Sequence, residues 1–109
     1  FHIPSRTEFG TLATAAGSNP GKHLKACDGW KDNGNGDNET CFAALPAGNA
    51  DGSSVNGVGS RDDYWSSDVA SSSMIGTNAY CRYFSYINDN FTEYDIFTNF
   101  AYSVRCLKD

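Results

Sequence analysis

Apolar residues at Phe9, Leu12, Ala13 and Ala16 recur at the three- and four-residue spacing of one helical face. Ahead of them stands Ser5-Arg6-Thr7-Glu8, a capping box. The serine side chain can accept from the Glu8 amide while the glutamate reaches back to the Ser5 amide. Gly17 supplies a stop signal. This pattern predicts a helix from about Arg6 to Ala16 that buries Phe9 and Leu12. Pro20 to Ala26 predicts a shorter second helix, with Leu24 inward and His23 on a helix face.

Between Cys27 and Glu39 the sequence CDGWKDNGNGDNE is polar and broken by glycine, which predicts a loop. Cys27 and Cys41 flank it, and a bridge between them would close the loop at its base. Phe42 to Gly48 is a short apolar element, and Asn49 to Ser60 is a second loop, too rich in glycine for a packed element. Asp63-Tyr64-Trp65-Ser66-Ser67 predicts a central strand carrying a core Trp65, with Asp62-Asp63 beginning a strand rather than binding metal. In Tyr80–Ile87 two sets alternate: Tyr80, Arg82, Phe84 and Tyr86 on one face, Cys81, Tyr83, Ser85 and Ile87 on the other. Turns follow at Asn88-Asp89-Asn90 and around Asn99, and Tyr102 to Leu107 closes the domain as a last strand. The predicted fold class is α+β: short helices, a small twisted antiparallel sheet and much irregular loop.

The 109 residues make one domain, large enough to bury about 65% of the unfolded surface. Nine of its thirteen Phe and Tyr residues fall between Tyr80 and Tyr102, interleaved with Asn, Ser, Thr and Asp. A folding core would use more Leu, Val and Ile. Tyrosine offers a large apolar body, a polar tip and few rotatable bonds, so this mixture suits a recognition surface. Phe84, Phe91 and Tyr102 are expected in the core. Tyr83, Tyr94, Phe97 and Phe100 are expected outside it, because a chain this small lacks room to bury every ring.

A formal charge of −5 removes the electrostatic basis for binding nucleic acid or an acidic membrane. No apolar run approaches the length of a membrane span, so no membrane insertion by this domain is expected. The abrupt start Phe1-His2-Ile3-Pro4 suggests a mature fragment or a domain from a longer protein, with a parent chain N-terminal to residue 1.

The cysteines at 27, 41, 81 and 106 form no C-x-x-C pair and lie apart from the histidines, which argues against zinc. An even count in a small acidic domain favours an oxidising compartment and two disulfides, with free buried thiols as the alternative. Oxygen donors at Asp32, Asn35, Asp37 and Glu39 have the density of a calcium loop but not EF-hand spacing, and ordinary turns have the same composition. No other cofactor is expected. Neither histidine has a recognisable catalytic partner and no G-x-S-x-G elbow is present, so no enzymatic activity is expected.

The phrases FHIPSRTEF, GKHLKACDGW, CFAALPAG, YWSS and AYSVRCLKD occur in this order across nearly the whole chain. In order and spacing they resemble the Fibrobacter succinogenes major paralogous domain family (FISUMP). That family is similar to the C-type-lectin-like fold in the variant shared with formylglycine-generating enzymes. The resemblance implies a bacterial cell-surface or phage-borne protein, extracellular, with the domain at the far end of an adhesin or pilin. Several residues depart from the family pattern. Phe1 replaces a usual Trp, Cys41 a usual Gly and Cys27 a small polar residue, which strengthens a Cys27–Cys41 pair. Cys106 matches the family's terminal cysteine, whose upstream partner is absent here, leaving Cys81–Cys106 as the fallback.

The resemblance extends to the variable proteins of diversity-generating retroelements, whose last strands are rewritten at template adenines. Asn codons rewritten in this way reach every residue between Cys81 and Ala101 except Glu93. The positions expected to be diversified and to bind ligand are Cys81, Tyr83, Ser85, Ile87, Asn90, Thr92, Tyr94, Asp95, Ile96, Phe97, Asn99 and Phe100. The implied partner is a protein or glycan on another cell. The competing expectation is a structural or assembly module of a surface protein or pilus, its aromatic face buried against the parent chain.

Overall fold

The computed structural model describes residues 1–109 as an α+β domain of short helices and a small antiparallel sheet. Helix α1 spans Arg6–Ala16, and both hydrogen bonds of the Ser5/Glu8 capping box are present. A second, shorter helix, α2, spans Pro20–Leu24 and opens on Pro20, whose missing amide costs nothing in a first turn. After it come a 3₁₀ turn at Lys31–Asn33 and a two-residue hairpin, β1 Asn49–Ala50 with β2 Val55–Asn56, inside the segment expected to be loop. The sheet proper is β3 Arg61–Ser73, β4 Gly76–Ser85 and β5 Thr92–Phe97, with β4 in the middle.

Strand β3 is far longer than the five residues its apolar pattern predicted, because Val69 to Ser73 pairs with β4 while remaining largely exposed. Its partner residues in register include Asp62 with Phe84, Tyr64 with Arg82 and Trp65 with Cys81. One sheet face carries Tyr64 and Phe84 onto Phe9, Leu24, Trp30, Ala44 and Phe91. Phe84 stacks on Phe91 at 4.4 Å, and Phe9 meets Phe91 edge-on at 5.8 Å. Trp65, expected in the core, faces the other way, half-buried and stacked at 4.6 Å on Tyr102. The tryptophan in the core is Trp30, its indole N–H donating to the Ala44 carbonyl at 3.0 Å. Tyr102 itself is only half-buried. The last segment is no continuous strand: it touches the rest through isolated bridges at Ala101, Ser103 and Leu107.

The irregular half of the chain is organised around Lys25, which is 1% exposed. Its ammonium donates to the carbonyls of Gly34 at 2.7 Å, Ser85 at 3.0 Å and Asn88 at 3.0 Å. Burial lowers the Lys25 pKa from its ordinary value, while Asp89 at 3.9 Å favours the charged form. The loop is pressed onto this centre backbone against backbone. A Cβ at Gly34 would stand 2.3 Å from the Tyr86 carbonyl oxygen, and one at Gly36 2.4 Å from that of Lys25.

Asp62 is buried on the core side and accepts from the Ser103 hydroxyl at 2.8 Å, tying the C-terminal segment to β3. Burial pushes its pKa up to about 6, above the ordinary 3.8. The folded protein therefore holds this proton more tightly than the unfolded chain. The resulting stabilisation is fully present below about pH 4 and lost as pH rises through about 6.

Two outcomes follow from these buried charges. Lys25→Met leaves three carbonyls without their donor and should lower unfolding free energy by at least about 3 kcal/mol in urea titrations; a loss below about 1 kcal/mol would show that water replaces the ammonium. The stability of the parent protein relative to Asp62→Asn should fall between about pH 4 and 6, and a flat difference across that window would contradict the assigned shift.

Candidate functional site

Strand alternation and register put Arg61, Asp63 and Trp65 of β3, Cys81, Tyr83 and Ser85 of β4, and Thr92, Tyr94 and Ile96 of β5 on the face opposite the core. Asp63 is its fixed point, with 0% exposure. Arg61 donates to it from Nε at 2.9 Å and Nη2 at 2.8 Å, and the Asn49 amide donates at 3.0 Å. The Tyr94 hydroxyl donates to Asp63 Oδ1 at 2.5 Å and lies 2.8 Å from the Tyr102 hydroxyl. Burial, then the bond to Asp63, raises the Tyr94 pKa well above the ordinary phenol value. The Arg61 guanidinium also lies over the Tyr83 ring at 3.9 Å, and Tyr83 meets Tyr94 edge-on at 5.5 Å.

Topology decides what else lies on this face. The chain leaves β5 at one edge of the sheet, where the Thr98 amide still bonds the Thr77 carbonyl. It rejoins at the other edge, where the Ser103 amide bonds the Asp63 carbonyl. Residues 98–102 therefore cross the sheet between its two edges, and Phe100 stacks on Tyr102 at 5.7 Å above Trp65.

The twelve expected binding positions are thereby divided. Tyr83, Ser85, Thr92, Ile96 and Phe100 are half-buried around the aromatic layer. Ile87 and Asn90 are exposed in the turn between β4 and β5, and Asn99 is exposed in the turn after β5. Asp95 and Phe97 lie on the opposite sheet face, where Asp95 accepts from the Asn78 amide at 3.0 Å and the Phe97 ring covers Gly76. One position, Cys81, is corrected, and Tyr94 has a bond into the framework besides. Cys81 is 1% exposed, enclosed at the sheet centre with its thiol against the Tyr94 carbonyl, and presents nothing to a partner. Tyr94 is tied by its hydroxyl to a buried carboxylate, which gives it a framework role.

All four cysteines are free thiols, so neither Cys27–Cys41 nor Cys81–Cys106 is formed. Lys25 pairs with Ala44 in a parallel bridge and the Thr40 amide bonds the His23 carbonyl, which sets Cys41 beside the end of α2 and away from Cys27. Burial pushes the Cys81 thiol up to about 12, while Cys106 is exposed on the terminal segment. Cys41 and Cys106 instead line one cleft of about 440 Å³ with Pro4, Phe9 and Phe42.

The expected calcium oxygens have partners within the protein. Asn35 Oδ1 accepts the Trp30 amide at 2.9 Å, and Asp37 and Glu39 turn to His23 without Asp32. Arg61, Asp63 and Tyr102 were missed as members of the aromatic face. The signal was present: an Arg-x-Asp pair two apart on one strand shares a face and can form a fork. Comparison with protein-family models, with curated proteins and with solved structures finds no match.

Tyr94→Phe removes the hydroxyl bonded to Asp63 and should cost about 1–3 kcal/mol of stability, whereas Tyr83→Phe should cost under about 0.5. Chemical denaturation of both variants checks the division; equal losses would mean that Tyr94 is no more framework than Tyr83.

Proposed function

We propose that this domain is a non-enzymatic ligand-binding module of the adhesin or receptor type, with a C-type-lectin-like fold and a surface diversified by a retroelement. The reading places it on a bacterial cell surface or phage particle, with a protein or glycan on another cell as partner. The observation that carries it is the aromatic layer on the sheet face opposite the core: Tyr83, Tyr94, Phe100 and Tyr102 gathered around Arg61 and Trp65. A core would be shielded by a helix or second sheet, whereas Tyr83 and Phe100 remain partly accessible. Partly exposed rings beside polar side chains are the composition of a binding surface.

The distribution of polar anchors supports the same reading. Asp63, Asn49 and Ser103 are held by bonds within the domain, so they serve as scaffold. Ser85, Ile87, Asn90, Thr92, Ile96, Asn99 and Phe100 lie at or beyond the margin of that network, where substitution disturbs little. Tyr83 and Phe100 act as rigid anchors, and Ser85, Asn90, Thr92 and Asn99 supply adaptable contacts. Asp95 and Phe97 belong to a second, adjoining surface around the strand ends.

Sequencing sibling copies of this gene tests the proposal. Variation should concentrate at the exposed and half-buried positions above, at bases matching template adenines, while Cys81 and Tyr94 stay constant or change only conservatively. A stretch from Cys81 to Phe100 no more variable than α1 would sink the retroelement reading and point to an interface with the parent chain. Against a ligand recovered by one sibling, Tyr83→Ala or Phe100→Ala should cost about 1–2 kcal/mol of binding with the thermal midpoint retained.

A further inference from the structure

His23 stands on the last turn of α2, and its Nδ1 atom is approached by two carboxylates at once. Asp37 Oδ2 lies at 3.0 Å and Glu39 Oε2 at 2.9 Å. Nδ1 carries one proton at most, and one N–H can point well at only one of these oxygens. The two carboxylates are also drawn close enough to repel, since the three donor atoms all lie within 4.8 Å of one another. The other histidine gives the contrast. His2 meets Asp109 through Nδ1 and Glu8 through Nε2, so its two carboxylates sit at opposite ring nitrogens and cannot share an ion.

The geometry points to a divalent transition-metal site made by His23, Asp37 and Glu39. Two ligand atoms about 2.1 Å from one ion are about 3.0 Å apart at the right angle of an octahedral site and about 3.4 Å apart at a tetrahedral angle. The two nitrogen–oxygen separations here, 3.0 and 2.9 Å, match the octahedral spacing, and a small outward turn of the exposed Glu39 reaches the tetrahedral one. One imidazole with two carboxylates is a borderline donor set that suits zinc, nickel or manganese. Calcium, which takes six to eight oxygens, is a poor match for a set led by nitrogen.

The backbone holds the two segments that carry the donors together without the ion. The Asp37 amide bonds the Lys22 carbonyl at 2.9 Å, and the Thr40 amide and hydroxyl bond the His23 carbonyl at 3.2 and 2.8 Å. An ion would fasten the polar loop to the end of α2, while the partly exposed side chains of Asp37 and Glu39 leave its outer positions to water. None of the residues of the proposed binding face takes part, so the site stands or falls independently of the ligand.

Calorimetric titration of the untagged, chelator-treated protein with zinc and with nickel, and with calcium in parallel, tests the site. One zinc or nickel ion should bind per chain and raise the thermal midpoint. His23→Ala should weaken binding by more than about tenfold and abolish that rise. Glu39→Gln, at a side chain 71% exposed, guards against a folding defect and should weaken binding in the same direction. Absence of binding, binding indifferent to His23, or calcium binding as tight as zinc would each overturn the assignment and leave a hydrogen-bonded triad.

Discussion

An ammonium removed from water must be surrounded by oxygen, and Lys25 takes that oxygen from segments that share no regular secondary structure. The carbonyls of Gly34, Ser85 and Asn88 come from the polar loop, the end of β4 and the turn before β5. Burying the charge costs several kcal/mol unless every donor is used, so these segments are held in one arrangement or the lysine is not buried at all. The rest of the irregular half follows from this. Trp30 is carried over the Lys25 ammonium at 5.1 Å, and its indole reaches the Ala44 carbonyl. Gly34 and Gly36 permit the backbone contact that the cage demands.

The sheet uses the same principle with the sign reversed. Asp62 and Asp63 are adjacent, both buried, and point to opposite faces. One holds the C-terminal segment through Ser103, the other gathers Arg61, Tyr94 and Asn49. A short chain with few large aliphatic residues thus fixes its sheet and loops through a few desolvated charges, and the aromatic rings can be deployed where they remain partly wet.

What was legible in the sequence was local. The capping box, Phe9 and Leu24 each announce their element through neighbours three or four residues away, and the alternation through Phe84 placed β4 on the correct faces. What was illegible depended on distant partners. Lysine and aspartate signal surface in any window, so Lys25, Asp62 and Asp63 gave no hint of burial. The serine-rich end of β3 is a strand only because β4 pairs with it. Adjacent Tyr64 and Trp65 cannot both face the core, and the sequence does not say which is inward. The expected cysteine pairs failed because the parallel Lys25–Ala44 bridge offsets Cys41 from Cys27, and because Cys81 lies beneath the crossing segment.

The pairing of His2 with Leu107 has a mechanical consequence. His2 exchanges both backbone hydrogen bonds with Leu107 in an antiparallel bridge, and its ring bonds the Asp109 carboxylate at 2.8 Å. Tension applied through the residues flanking that bridge would open it from its margin, in the manner of a zipper, before any load reached β3, β4 and β5. The bonds first loaded are also among the most exposed, so they part at low force and re-form readily when it falls. The domain would lengthen under pull by a few residues at its seam while the sheet and its aromatic face kept their shape.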